Sequence, residues 1–353
     1  MKYGLVYYKD TQNLGDDILS YAGKRFLPQV DYYIDRENMD VFLPDQKEYV
    51  AAILNGWYIH YSFTFPPSPY ILPLFVGTHF NSDATIFGDY SYLDGYATEY
   101  LNMYEPIGCR DWQTANILGE KGIESYFSGC LTLTLQKFGG VTSNHTVFLT
   151  DVPPEIKTYI DSLLPDKPRI SLTHRFTAEE TGWQSWQKRE ERIELFLKRY
   201  QGADLVVTTR LHCALPCIAL GTPVILVVNR NEDYYDRIEC FSQCCFCFNK
   251  EEILGGKADG ILLKPVENKK PENMIHQMQK ILQDFISDCM KDKKDTNFLP
   301  DLSLYQDLYI KRSQCARRAA QVLLQRQYNL EQQYNQDMEK VRCIMERLKN
   351  IQI

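Results

Sequence analysis

No run of 18 or more apolar residues free of breakers occurs in this chain, so no segment is suited to crossing a membrane as a helix. Its opening, Met1-Lys2-Tyr3-Gly4-Leu5-Val6-Tyr7-Tyr8-Lys9-Asp10, holds too short an apolar stretch for a secretory leader, which predicts a soluble, cytoplasmic protein. Basic residues are not in excess either: 39 Lys and Arg stand against 46 Asp and Glu, a formal charge of -7 at pH 7. That balance excludes a general nucleic-acid binder, whose footprint is basic. A disulfide framework is poorly supported, because the 11 cysteines are odd in number and several fall inside apolar patterns, which reads as reduced thiols. Cys240, Cys244, Cys245 and Cys247 contain one C-x-x-C, but no second pair follows at zinc-ribbon spacing, so no metal is expected. The three glycines of a dinucleotide fingerprint are missing from the first strand-to-helix turn, where Gly15 stands alone.

What is present is a repeated strand, loop and helix pattern over 353 residues, enough for two domains and an appendage. Lys2 to Tyr8 predict a strand, Asn13-Leu14-Gly15-Asp16-Asp17 a tight loop, and a helix follows from about Asp17 to Phe26. Asp16 and Asp17 then stand at a helix N-terminus, where carboxylates serve either as caps or as groups facing a cleft. Val50 to Leu54 predict a buried strand running into Asn55-Gly56-Trp57, a ligand edge, and Leu72 to Val76 repeats the device with Gly77-Thr78-His79-Phe80. His60 reads as surface, and Phe63 to Pro69 as a rigid aromatic loop. Ile107 to Arg110 end a strand whose following helix has Asp111 as its cap. Gly139 to Asn144 reads as a linker. Beyond it, Thr146 to Thr150, Arg169 to His174, Leu205 to Thr209 and Val224 to Val228 predict strands. Lys188 to Tyr200 predicts a helix with Ile193, Phe196, Leu197 and Tyr200 on one face.

From Asn273 the composition turns to Gln, Lys, Arg and Glu without glycine, and a last helix is predicted from near Leu302. Tyr334, Met338, Val341, Met345 and Leu348 follow heptad spacing, which suits a seam packed on the body or on a second copy of the chain. Lys311, Arg312, Arg317, Arg318 and Arg326 make its first part basic, either a solvated face or a peripheral contact with an anionic membrane. The expected organisation is an α/β fold of two Rossmann-like lobes with a central, GT-B-like cleft. The first lobe covers residues 1–140, the second 141–272 and a helical extension 273–353.

Asp204 to Val227 read as the centre of this plan, a βαβ unit whose first strand ends in Thr208-Thr209-Arg210 and whose helix opens at Leu211-His212. Open parallel sheets bind ligands outside the carboxyl ends of their strands, and a helix starting at Leu211 would point free N–H groups into that crevice. The corner therefore reads as an anion site with one fixed cation and one titratable group. The segment Thr209-Arg210-Leu211-His212-Cys213-Ala214, followed by Ala219-Leu220-Gly221-Thr222-Pro223-Val224, resembles the signature of the polysaccharide pyruvyl transferase family. Asn13 to Asp17, Gly108 to Asp111 and Ser128 to Leu135 resemble further family segments in the same order.

The resemblance implies phosphoenolpyruvate as donor, a sugar acceptor that is free or lipid-linked, and neither cofactor nor metal. It places Arg210, Arg110, Leu211 and Thr209 on the donor, with His212 as the acid. His79, Asp16 or Asp17 would act on acceptor hydroxyls, and Asn55, Gly56, Trp57 and Asn13 would hold the sugar. A glycosyltransferase using a nucleotide sugar is the rival enzyme on such a fold, although the E-x7-E pattern of many such enzymes is absent from the second lobe. A non-catalytic saccharide-binding protein is the rival of another class.

Overall fold

The structure, a computed structural model, describes residues 1–46, 48–58, 65–80, 93, 95–181, 184–229, 236–291 and 302–351. His60, Phe63 and Thr64 lie outside the described residues, while Phe65 of the aromatic loop is buried and packs edge-on against Tyr100 at 5.2 Å. The first lobe contains, in chain order, β1 (Lys2–Tyr7), β2 (Tyr32–Asp35), β3 (Val50–Leu54), β4 (Trp57–Tyr58), β5 (Ile71–Phe75), β6 (His79–Phe80), β7 (Ile107–Cys109) and β8 (Ser125–Phe127). Strands β2-β1-β3-β5 form one parallel sheet. A bridge between Thr78 and Cys109 brings β7 and its parallel partner β8 alongside. Val50 to Leu54 are buried throughout, as a strand covered on both faces must be.

The second lobe is built from β9 (Val147–Thr150), β10 (Arg169–Leu172), β11 (Leu205–Thr208), β12 (Val224–Val227) and β13 (Phe246–Phe248), all parallel in the order β10-β9-β11-β12-β13. The last strand lies inside the cysteine cluster, where short length and mixed polarity gave no strand pattern to read. Strand order changes direction between β1 and β3 in one sheet and between β9 and β11 in the other. Such switch points are where open α/β sheets form ligand crevices.

The helix α1 (Leu14–Lys24) joins the lobes. Leu14, Ile18 and Ala22 share one core with Leu197, Tyr200, Cys213 and Ala214 of the second lobe. Leu14 N–H donates to the His174 carbonyl at 2.9 Å, and Phe176 N–H donates to the Gln12 carbonyl at 2.8 Å, so the backbones pair across the lobes. The predicted apolar face of the helix Trp186–Gln201 lies in this same core.

The helix Glu272–Lys291 also returns to the body: Ile275, Met278 and Leu282 enter the shared core, while Ile286 and Cys289 reach Tyr3 and Ala51 on the first sheet. The last helix, Leu302–Ile351, docks only its beginning. Tyr305, Leu308 and Cys315 are buried in the first lobe, with Tyr305 Oη 2.9 Å from Tyr104 Oη. Lys311 pairs with Glu99 at 2.6 Å and Arg312 with Asp40 at 2.7 Å, so two of the five basic residues belong to this contact. Tyr334, Met338, Val341 and Met345 are 64 %, 49 %, 50 % and 55 % exposed, which overturns the expectation that their seam packs back on the body.

Tyr305→Ala, which empties a fully buried aromatic site, is expected to lower stability by about 3 to 5 kcal/mol in thermal denaturation. Deleting residues 320–353 should move the melting temperature by less than about 2 °C, since residues 320–346 are all exposed. A large fall on deletion would show that the seam is covered by a second copy.

Candidate functional site

Two helices begin at the cleft, and each sequence choice at their first turns has a physical reason. Asn13 caps α1, its Oδ1 accepting from Gly15 N–H at 3.1 Å. Neither Asp16 nor Asp17 is the cap, and the two aspartates point different ways. Asp16 lines the cleft cavity and is held by Thr11 Oγ1 at 2.6 Å, with Arg36 at 3.8 Å. Asp17 is buried against Arg189 of the second lobe at 2.9 Å, and burial raises its pKa to about 6 despite that partner. The expectation that Asp17 faces the cleft is thereby corrected: its carboxylate forms part of the joint between the lobes. Gly15 is required by close approach, because a Cβ there would lie 3.1 Å from His212 Cβ and 3.2 Å from His212 Nδ1.

The second helix, α2 (Leu211–Leu220), follows β11. No side chain caps it, so the N–H groups of Leu211 and His212 stand at an open N-terminus facing the cavity. Pro216 has no N–H to give the His212 carbonyl four residues back, and His212 departs from helical backbone at φ -80° and ψ 15°. Arg210 is steered by Asp151, whose Oδ2 accepts from Arg210 Nε at 2.8 Å, and Thr209 Oγ1 donates to the Asp151 carbonyl at 2.9 Å. Burial would raise the Asp151 pKa, but hydrogen bonds from Thr173, His174 N–H and Arg210 outweigh it and hold the carboxylate below its usual range.

Arg110 enters from the first lobe at the carboxyl end of β7. It is 3 % exposed, its Nη1 lies 3.5 Å from His212 Nε2, and its Nε has no hydrogen-bond partner among the described residues. Among the described residues no carboxylate pairs with it. Burial first, then the Arg110 and Arg237 charges, hold the His212 pKa well below its usual value, so the free protein carries a neutral imidazole here. His79 lies behind this wall rather than in the cleft, a second correction. It is 2 % exposed, with Nδ1 2.7 Å from Asp111 Oδ2, and Trp57 packs edge-on against it at 5.9 Å. Burial, with the Arg110 charge, holds His79 at about 4 against the pull of Asp111. His79 and the Thr114 N–H hold Asp111 at about 2 against its own burial. Neutral His79 therefore donates from Nδ1 and fixes the cap of the helix that follows Arg110.

Asn13, Asp16, Trp57, Arg110, Thr209, Arg210, Leu211 and His212 thus meet around one cavity of about 340 Å³. Asn55 and Gly56 do not. Asn55 Nδ2 donates to the Leu19 carbonyl at 2.8 Å and clamps α1 to β3, while Gly56 N–H donates to Tyr58 Oη at 3.3 Å. The structure adds His174, Asn229 and Arg237, which sequence reasoning missed. His174 is fully buried with Nε2 on Tyr200 Oη at 2.8 Å, and Arg237 lies over the Trp57 ring at 5.5 Å. His174 closes a predicted strand and was legible as a strand end; Arg237 sits in a segment with no periodic pattern. Among the described residues, no three His, Cys, Asp or Glu side chains converge as metal ligands.

A two-lobed α/β protein whose cleft gathers arginines and imidazoles at helix N-termini defines a class suited to small anionic ligands. Residues 13–231, more than half of the chain, match the family model described as polysaccharide pyruvyl transferase, and the chain belongs to that family. No curated protein matches it. Solved structures similar to it include an uncharacterized protein of Klebsiella pneumoniae, with 14 % identity over 68 % of this chain and 87 % of that one and a TM-score of 0.41. A UDP-GlcNAc 2-epimerase of Methanocaldococcus jannaschii shares 14 % identity over 80 % and 99 % at 0.41. Another UDP-N-acetylglucosamine 2-epimerase shares 11 % over 85 % and 99 % at 0.46.

A buried cation without a counter-ion destabilises the ligand-free fold. Arg110→Met is therefore expected to keep or raise the melting temperature while removing anion binding; a fall of several degrees would show that Arg110 is structural. Gly15→Ala should displace the His212 ring, lowering turnover at least tenfold with little change in secondary structure by circular dichroism.

Proposed function

We propose that the protein transfers pyruvate from phosphoenolpyruvate onto two hydroxyls of a sugar, forming a cyclic ketal. The observation that carries this reading is Arg110, buried and without a carboxylate partner among the described residues, beside His212 and the open N-terminus of α2. A donor with a carboxylate and a phosphate a few atoms apart needs separated cations. Arg110 from one lobe and Arg210 from the other supply planar forks for those groups, and the Leu211 and His212 N–H groups supply a phosphate end. The family match makes the protein a transferase, and the charges in the cleft suit this donor.

In this mechanism the donor's methylene carbon takes a proton and its C2 becomes electrophilic. One sugar hydroxyl adds to C2, phosphate leaves with the C2–O bond electrons, and the second hydroxyl closes the ketal. One hydroxyl proton replaces the proton spent on carbon and the other departs with phosphate. His212 is the acid. In the free protein burial first, then the Arg110 and Arg237 charges, keep it neutral; the arriving phosphate offsets those charges and gives the ring an anionic partner, so the donor favours the protonated acid. Asp16, on the cavity wall, accepts hydroxyl protons, and Asn13 and Trp57 position the sugar.

Incubation with phosphoenolpyruvate and galactosyl, mannosyl or glucosaminyl acceptors should release phosphate only when acceptor is present. Consumption of a nucleotide sugar, with phosphoenolpyruvate untouched, would overturn the reading. Donor binding should also take up a proton at His212. The His212 pKa is low in the free protein and raised by the donor, so the uptake is greatest at pH values between the two and vanishes as pH falls through the first or rises through the second. Calorimetry in buffers of different ionisation enthalpy should show greater uptake for wild type than for His212→Gln, with turnover in the variant down about a hundredfold. Equal uptake in the two proteins would remove His212 from the role.

A further inference from the structure

Outside the cleft, the helix that begins two residues after Arg110 carries an aromatic that packing does not explain. This helix, Trp112–Glu120, opens with Trp112, which is 55 % exposed and lies flat on Phe127, ring centroids 4.7 Å apart and planes at 23°. Phe127 is itself backed by Phe241 at 6.2 Å, so the indole is held as a fixed plate with its outer face in solvent. Trp112 forms one wall of a groove of about 590 Å³, together with Gln113, Asn116, Glu120, Glu239 and Gln243. Amides, carboxylates and an aromatic plate dominate this groove, with Ile117, Cys240 and Ser242 beside them, and neither Lys nor Arg lines it among the described residues. Such a surface is unsuited to phosphate or a nucleotide. It suits a ligand with apolar C–H faces and many hydroxyls, for which the plate offers stacking and the side chains offer paired donors and acceptors.

The groove and the cleft share a wall. Arg110 faces the cavity, Asp111 caps the helix, and Trp112 faces the groove, while Cys240 of the groove lies 3.9 Å from the Arg110 carbonyl by its Sγ. Ile238 lines the cavity and Glu239, the next residue, lines the groove. We infer that the groove is a subsite for an uncharged oligosaccharide, so that the acceptor is a chain of several sugars, one in the cleft and a further pyranose stacked on Trp112. This rests on the pyruvyl-transfer reading for the identity of the cleft's occupant, but the groove's preference stands on its own lining.

The probes are cellotetraose, mannotetraose, chitotetraose and β-1,4-galactotetraose with their monosaccharides, titrated by calorimetry and by tryptophan fluorescence into the full-length protein saturated with phosphoenolpyruvate. At least one tetrasaccharide should bind tenfold or more tighter than its monosaccharide. Trp112→Ala should remove that advantage, Trp112→Phe should restore most of it, and Asn116→Leu should reduce it, with phosphoenolpyruvate affinity and melting temperature unchanged. Equal affinity for every tetrasaccharide and its monosaccharide, or an advantage that survives in Trp112→Ala, would overturn the subsite. A tetrasaccharide that binds through Trp112 without phosphoenolpyruvate also binding would overturn pyruvyl transfer and leave the subsite standing.

Discussion

A guanidinium buried to 3 % exposure, with an imidazole at 3.5 Å as its neighbour and no carboxylate partner among the described residues, is the constraint around which the cleft is arranged. Charge without a counter-ion in a poorly solvated place is unfavourable, and it persists only where the rest of the fold holds it there. Arg110 cannot swing out to solvent, because its backbone is tied to Thr78 by an N–H donated at 2.8 Å and the next residue is locked by His79. Burial first, and then the charge of Arg110 itself, keeps His212 neutral. One arriving dianion would pair with Arg110 and offset its charge at His212, which couples binding to readiness for proton transfer.

Holding two lobes so that Arg110 and His212 meet requires a stiff joint. The joint is α1, with its cap on Asn13, its glycine against His212, its buried Asp17 on Arg189 and its backbone paired to residues 174–176. Arg189 reinforces it by donating to the Tyr8 and Lys9 carbonyls. The helix Glu272–Lys291 then ties the end of the second lobe back onto the first sheet, so the cleft is closed by core packing on more than one side.

Much of this was legible in the sequence where period and punctuation are strong. The buried strands Val50–Leu54, Leu205–Thr208 and Val224–Val227, the helix carrying Ile193 to Tyr200, and the corner at Thr209 to His212 follow from apolar runs and the residues that end them. Less legible was which way a polar side chain turns. Asp16 and Asp17 are adjacent, and only the position of Arg189 in the folded chain decides that one lines the cavity and the other joins the lobes. Asn55 and His79 look like ligand groups at strand ends, yet each satisfies a backbone carbonyl or a carboxylate behind the wall. Arg237 reaches the site through tertiary placement, for which a single sequence carries no signal, whereas His174 was legible as a strand end but not as a cleft residue.

The central claim is that the cleft makes a ketal at C2 of the donor. The most direct measurement is a carbon-13 nuclear magnetic resonance spectrum of the product formed from phosphoenolpyruvate labelled at C2 and an oligosaccharide acceptor. A saturated quaternary ketal carbon bonded to two sugar oxygens and bearing a methyl group is the predicted result. A label that remains in phosphoenolpyruvate, or that appears as an unsaturated enol ether on one sugar oxygen, would contradict it.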